Sequence, residues 1–254
     1  MGWRIAGSVI AALMIAYGTA SAVGALAHDT WSDRRVIDTR VSVVDVANST
    51  GGAITVVGDD DADSVTIDMT VSRGLQTPRH TQEVEGNRLV VRNGCGWFAN
   101  VFCQIDYLIH VPPGVSLIAR ADGGSVEVSN LKGFLDLSSD GGSLVVRGGE
   151  GESVRLDTDG GNVEVTGLAA GSIEARSDGG TVRLDLAGPP RAVVASSDGG
   201  DVEIVLPETP DAYRLDLSSD GGTTSGEVRT DPSSDRSITG SSDGGDVTVR
   251  YRAG

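Results

Sequence analysis

Seven aspartates each head an Asp-Gly-Gly triplet: Asp122, Asp140, Asp159, Asp178, Asp198, Asp220 and Asp243. Carboxylates repeated in this way could ligate calcium, a hard cation that takes oxygen ligands. If successive triplets stack, their carboxylates come within roughly 5 Å of one another. Like charges that close repel by about 1 kcal/mol per pair even with bulk-water screening, and a column of calcium ions would relieve that repulsion. The calcium-binding nonapeptide of toxin repeats, Gly-Gly-x-Gly-x-Asp, is nevertheless absent. The favoured reading is that each Asp bonds the amides of its own turn. The hydroxyls that precede most of them, Ser139, Thr158, Ser177, Ser197, Ser219 and Ser242, can form ladders between turns. No cofactor is called for, and the seven aspartates stand as candidate calcium ligands only.

The second group with chemistry to offer is the chain's single pair of cysteines, Cys95 and Cys103. Behind an export signal, an even pair at short spacing reads as a disulfide; the alternative is two free buried thiols. No His or further Cys lies close by for a metal site, and His110 falls on a predicted strand as a wall residue. Between the cysteines come Trp97, Phe98 and Phe102. A small stapled loop cannot bury three aromatic rings within itself. Either they cap the first rung of the fold, or they form an exposed patch that binds a partner or touches lipid.

The elements that must carry these residues follow from the repeat itself. The triplets are spaced by 18, 19, 19, 20, 22 and 23 residues, the mark of a stacked-coil architecture. Four and six positions after each Asp come apolar pairs such as Val126 and Val128, Leu144 and Val146, or Val182 and Leu184. Five and three positions before it come Leu135 and Leu137, Val154 and Leu156, or Ile173 and Ala175. The intervening residues are mostly polar, so each repeat is strand, turn, strand with one buried face. Only the repeat at Asp220 breaks the parity, with Thr224 and Gly226. Asp-Gly favours turns because Gly adopts positive φ at no steric cost. Antiparallel hairpins would pair neighbours in sequence; a solenoid would pair equivalents one repeat apart. The constant period and parity predict an all-β, parallel β-solenoid (β-helix) over 115–250, with rungs of about 20 residues.

Ahead of the repeats, Ile5 to Ala27 is free of charge, long enough to span a bilayer. Residues 1–27 are read as a transmembrane anchor or, given Ala20-Ser21-Ala22 and Ala25-Leu26-Ala27, as a cleaved signal peptide. Either way the remainder leaves the cytoplasm: a single-pass membrane protein with its C-terminal domain outside, or a secreted one. Residues 28–37 read as a polar linker. Residues 38–118 read as an irregular β region holding the cysteine loop, and 119–254 as the regular repeats. Gly74 to Glu85 reads as a polar loop, and the last strand, Asp246 to Arg252, as an uncovered edge guarded by Arg250 and Arg252. The whole chain carries a net charge of −16, which repels phosphates and makes nucleic acid an improbable partner.

The chain resembles a bacterial adhesin-like family of β-strand repeats, the domain-of-unknown-function group 4097. The resemblance rests on the N-terminal apolar segment, on Tyr107-Leu108-Ile109-His110-Val111-Pro112-Pro113-Gly114-Val115, and on the serial Ser/Thr-Asp-Gly-Gly-x-Val-x-Val units, and runs from Val36 to Tyr251. It implies a β-solenoid-like fold at the cell envelope and supplies no catalytic residues. Catalysis on a β-helix needs convergent acids, Arg or Lys; here the acids recur one per rung, and Asp59-Asp60-Asp61 reads as a solvated turn. The expected function is a non-catalytic extracytoplasmic adhesin-like or scaffold protein, anchored by residues 5–27, with a monomeric ectodomain. Its partner would be an envelope protein or a surface glycan. The alternatives are an accessory sensor of envelope stress acting through a membrane partner and, less favoured, a carbohydrate-active β-helix enzyme.

Overall fold

The computed structural model describes residues 28–96 and 102–253. All regular elements among them are β-strands. The first are β1 (Asp29–Ile37), β2 (Val43–Ser49), β3 (Ile54–Gly58), β4 (Val65–Arg73), β5 (Arg79–Glu85), β6 (Arg88–Gly94) and β7 (Gln104–Val111). The repeats supply β8 (Ser116–Ala121), β9 (Val126–Ser129), β10 (Leu135–Ser139), β11 (Leu144–Arg147), β12 (Glu150–Thr158), β13 (Val163–Ser177) and β14 (Val182–Leu186). They continue with β15 (Ala192–Ser197), β16 (Val202–Leu206), β17 (Arg214–Ser219), β18 (Thr224–Glu227), β19 (Ser237–Ser242) and β20 (Val247–Tyr251). No helix among the described residues is long and apolar enough to cross a membrane; the apolar segment 5–27 lies outside the described residues.

Each Asp-Gly-Gly turn joins two strands that stack in different sheets. Strands that precede a turn form a front sheet, and strands that follow it form a back sheet. In the front sheet β10 lies parallel between β8 and β12, aligning Leu117, Leu135 and Val154. In the back sheet β11 lies parallel between β9 and β13, aligning Val126, Leu144 and Val163. β13 is long because it serves both: its first part pairs with β14 in the back sheet and its second with β15 in the front. The corner falls at Gly167, whose φ of 72° favours glycine. Inward residues of both sheets form one continuous buried core, which no single rung could supply alone.

The rungs do not stack in chain order at the C-terminal end. β19 lies between β15 and β17, and β20 between β16 and β18. The last repeat is thus inserted inside the one before it, and β17 and β18 form the end of the stack. The expected open edge at β20 is therefore wrong. Arg250 and Arg252 guard no edge; they pair with Glu203 (2.7 Å) and Asp185 (2.5 Å). The inversion also accounts for the break in parity. Thr224 and Gly226 hold inward positions of a rung with no further rung beyond it. A Cβ on Gly226 would lie 2.8 Å from Leu215 Cδ1, so the missing side chain lets Leu215 and Leu217 lean over the end of the core.

The other end shows the same inversion. β2 lies between β6 and β8, and β3 between β7 and β9. Beyond β6 and β7 the pairing turns antiparallel: β4 on β7 and β1 on β4 in the back sheet, β5 on β6 in the front. Two expectations fail here. The expected linker 28–37 is largely the strand β1, and the expected polar loop 74–85 contains β5. Both are edge strands with one neighbour and little core to face, so their apolar alternation is weak. Arg35 of β1 donates to the Gln82 carbonyl of β5 (3.3 Å), and Gln82 Nε2 reaches Met69 Sδ (2.8 Å), closing this end with polar groups.

The turn glycines serve a purpose other than the expected one. None in the seven triplets has positive φ; among described glycines that conformation belongs to Gly51, Gly86, Gly148, Gly149 and Gly167. The second glycine is required by proximity. A Cβ on Gly200 would stand 2.6 Å from the Gly180 carbonyl oxygen, and on Gly142, Gly161 and Gly180 it would be closer still to the oxygen one rung below. In the early repeats the first glycine has more room, with its nearest neighbour 3.7 Å from a Cβ at Gly141. Gly142→Ala should therefore cost about 1–3 kcal/mol by overpacking, and Gly141→Ala no more than about 0.5 kcal/mol. Urea denaturation of the two variants checks this, and equal losses would remove the packing argument.

Candidate functional site

The turn edge is built by hydroxyls. Thr158 Oγ1 donates to the Gly142 carbonyl of the rung below (2.8 Å) and accepts the Gly161 N–H of its own turn (3.2 Å). Ser139, Ser177, Ser197, Ser242 and Ser219 repeat the arrangement, donating at 2.6–2.9 Å. The ladder predicted from the Ser/Thr positions is present, and all but Ser219 are buried. Each hydroxyl satisfies a carbonyl and an amide that stacking has taken from water. In the β2–β3 rung Asn48 takes this part, donating to the Gly52 and Ile105 carbonyls (2.9 and 2.8 Å). Backbone bonds such as Asp243 N–H to the Ser197 carbonyl and Asp220 N–H to the Ser242 carbonyl hold the seven triplets in one column.

The aspartates do not bond their turn amides as expected; the hydroxyls do so instead. All seven are exposed, and no hydrogen bond or ion pair to their side chains occurs among the described residues. Nor, among those residues, do three or more His, Cys, Asp or Glu side chains gather so as to hold a metal ion. Asp59 accepts the Asp61 N–H (3.0 Å) in a local turn, and His110 stands in the wall of β7 opposite Val57 and Thr66.

Cys95 and Cys103 are bonded, with Cα atoms 6.1 Å apart. The staple closes the turn of the β6–β7 rung, next to the antiparallel cap. Trp97 and Phe98 lie outside the described residues. Phe102 is exposed, has a φ of 63° and stands 5.2 Å from the His28 ring.

The outer faces carry cross-rung charge ladders. In-register stacking places Asp136, Arg155 and Glu174 side by side in the front sheet, and Glu164, Arg183 and Glu203 in the back. Alternating sign turns a forced juxtaposition into ion pairs, as at Arg155–Glu174 (3.4 Å) and Arg183–Glu203 (2.5 Å). The ladder begins at Asp45, on the outer face yet 1% exposed. It is roofed by Arg88, Arg92 (2.9 Å) and Arg120 (3.8 Å). Burial alone pushes the Asp45 carboxyl up, but hydrogen bonds and charge from Arg92 and Arg88 outweigh it and hold it below the usual carboxylate range. Sequence reading missed this cluster, because its members are 75 positions apart at most and share no motif.

The opposite, return edge of the stack is hollowed. A cavity of about 470 Å³ runs across several rungs, with Phe134, Glu152, Ser153, Ser172 and Arg191 among its lining. Phe134 is 43% exposed, and neither Glu152 nor Arg191 has a side-chain partner among the described residues. A second hollow of about 500 Å³, sharing Glu152 and Gly171, continues it. Small residues at the corners leave this space.

Two sheets of stacked short strands, joined by Asp-Gly-Gly turns, match the Toastrack DUF4097 sequence profile across residues 116–253, more than half of the chain. The protein belongs to the Toastrack family. The antiparallel cap and the disulfide loop lie outside the matched stretch. No curated protein sequence matches this Toastrack chain. Its fold is shared by a Bacteroides fragilis NCTC 9343 protein named as a candidate adhesin, at 18% identity and a TM-score of 0.56. That match covers 87% of this chain and 97% of the other. A Parabacteroides merdae ATCC 43184 protein, also named as a candidate adhesin, is similar at 12% identity and a TM-score of 0.47, covering 89% and 97%.

Two outcomes follow for this Toastrack protein. A carboxyl held down in the folded state adds stability that is full above the unfolded value of about 4 and is lost as pH falls through the folded value. Asp45→Asn should cost about 1–3 kcal/mol near neutral pH and progressively less in acid; a pH-independent loss in denaturation curves would show that the charge is immaterial. For the disulfide, alkylation followed by mass spectrometry of the non-reduced protein should find no modified thiol, whereas two labelled cysteines would contradict it.

Proposed function

We propose that this Toastrack protein is a non-catalytic, adhesin-like protein of the cell envelope, held by residues 5–27 and projecting a monomeric solenoid outside the membrane. The observation that carries the reading is the return-edge groove. Here Arg191 and Glu152 have no side-chain partner among the described residues and stand beside an exposed phenyl ring and the hydroxyls of Ser153 and Ser172. That combination suits a surface glycan. The Phe134 face can stack on the C–H face of a sugar ring, and the polar groups can bond its hydroxyls. The groove crosses rungs that repeat at about 4.8 Å, close to the rise of one sugar unit in an extended chain. The names of the structurally similar proteins agree with this reading, and the exposed, unclustered acids give no support to catalysis.

Beads coated with the full-length chain should adhere to immobilised envelope polysaccharide. Phe134→Ala combined with Arg191→Ala should lower retention by roughly tenfold, the effect of losing about 1.4 kcal/mol, with an unchanged melting temperature. Wild-type beads that bind no better than bare ones would end the adhesin-like reading, and undiminished binding by the double variant would move the contact off the groove.

A further inference from the structure

β1 begins at Asp29, one residue after His28, so almost nothing separates the apolar segment 5–27 from the solenoid. Three segments meet where the chain departs. The His28 ring lies against Phe102. Trp31 lies under the Arg73 guanidinium, 5.8 Å from it. A Cβ on Gly96 would strike the Gln76 side chain, so the loop after β4 rests on the base of the cysteine loop. Each segment exposes a large apolar side chain: Trp31 by 38%, Leu75 by 44% and Phe102 by 43%. The covalent staple at Cys95–Cys103 and the ion pair Arg73–Asp29 (3.4 Å) hold this corner together.

Charge distinguishes this end as well. Residues 28–254 carry 19 Lys and Arg against 36 Asp and Glu, yet in β1 Asp29 and Asp33 are balanced by Arg34 and Arg35. A strongly acidic domain thus presents a neutral, aromatic-bearing end at the point where an apolar segment of bilayer length begins. Trp and other amphipathic side chains concentrate at the membrane–water interface, and a chain tethered without a spacer must hold its first strand there.

We infer that the β1 end of the stack is a foot seated in the headgroup layer of the lipid bilayer, with Trp31, Leu75 and Phe102 as its contacts. The inference rests on the membrane-held reading above. The solenoid then stands away from the surface, with β17 and β18 at its far end.

The test uses the full-length chain with Trp3→Phe and Trp97→Phe, leaving Trp31 as the sole indole. It is reconstituted into phosphatidylcholine–phosphatidylglycerol vesicles whose acyl chains are brominated near the glycerol end. Trp31 emission should shift to the blue and be quenched relative to unbrominated vesicles. Phe102→Asp, an exposed position, should lower the quenching by about half or more while leaving the circular-dichroism melt in place. A chain that pellets with the vesicles but shows water-like, unquenched Trp31 emission overturns the foot alone. A chain that fails to pellet overturns the membrane-held reading and the foot with it. Quenching that Phe102→Asp leaves intact would remove Phe102 from the contact.

Discussion

The closeness with which one turn peptide lies on the next governs this molecule. The second glycine of each triplet has no room for a methyl group because the carbonyl of the rung below occupies it. The same carbonyl is taken by a hydroxyl from the rung above, as Thr158 takes that of Gly142. The spacing excludes water from these peptides, and the hydroxyls replace the bonds that water would have made. Everything else inherits this fixed stacking. Inward residues fall into columns of Val, Leu and Ile, and outward residues must meet their own counterparts, so that sign alternates along Asp136, Arg155 and Glu174. The turn aspartates are spared that requirement because they project into water, where repulsion between neighbours is small.

A stack built on repetition has a difficulty only at its ends, and the two are treated differently. At one end antiparallel strands close over the core, with Arg35 and Gln82 as polar cover. At the other the core narrows, since Gly226 gives way to Leu215 and Leu217. Between them each rung can vary its corner without disturbing its neighbours, which is where the groove beneath Phe134 arises.

The repeated part of the fold was legible because parity and period both survive in the residues: Val182 and Leu184 or Val202 and Ile204 point inward wherever they are placed. The rung order was not, since β19 and β20 carry the same pattern whether they lie at the end or one place inside it. Two signs were available in retrospect. Thr224 and Gly226 cannot line a core, and the spacings of 22 and 23 residues on either side of Asp220 supply the chain needed to skip a place and return. β1 and β5 escaped notice because an edge strand with polar residues on both faces looks like a loop. The site features were partly legible: the cysteine pair and the hydroxyl ladder follow from local sequence. The groove and the Asp45 cluster are made by residues that only register brings together.

The exchanged rungs alter how the molecule would come apart under load. In a stack wound in simple order, a pull on either chain end peels the outermost rung first, one strand at a time. Here the strand nearest the carboxyl terminus, β20, is gripped on both edges by β16 and β18. A pull on that end must shear two ladders of bonds together. The rung that frays most easily, β17 with β18, is held in the chain at both of its ends, so its opening frees only a closed loop, and the entropy gained is correspondingly limited. Such an arrangement resists a pull on its chain ends better than a spool that unwinds from its tip.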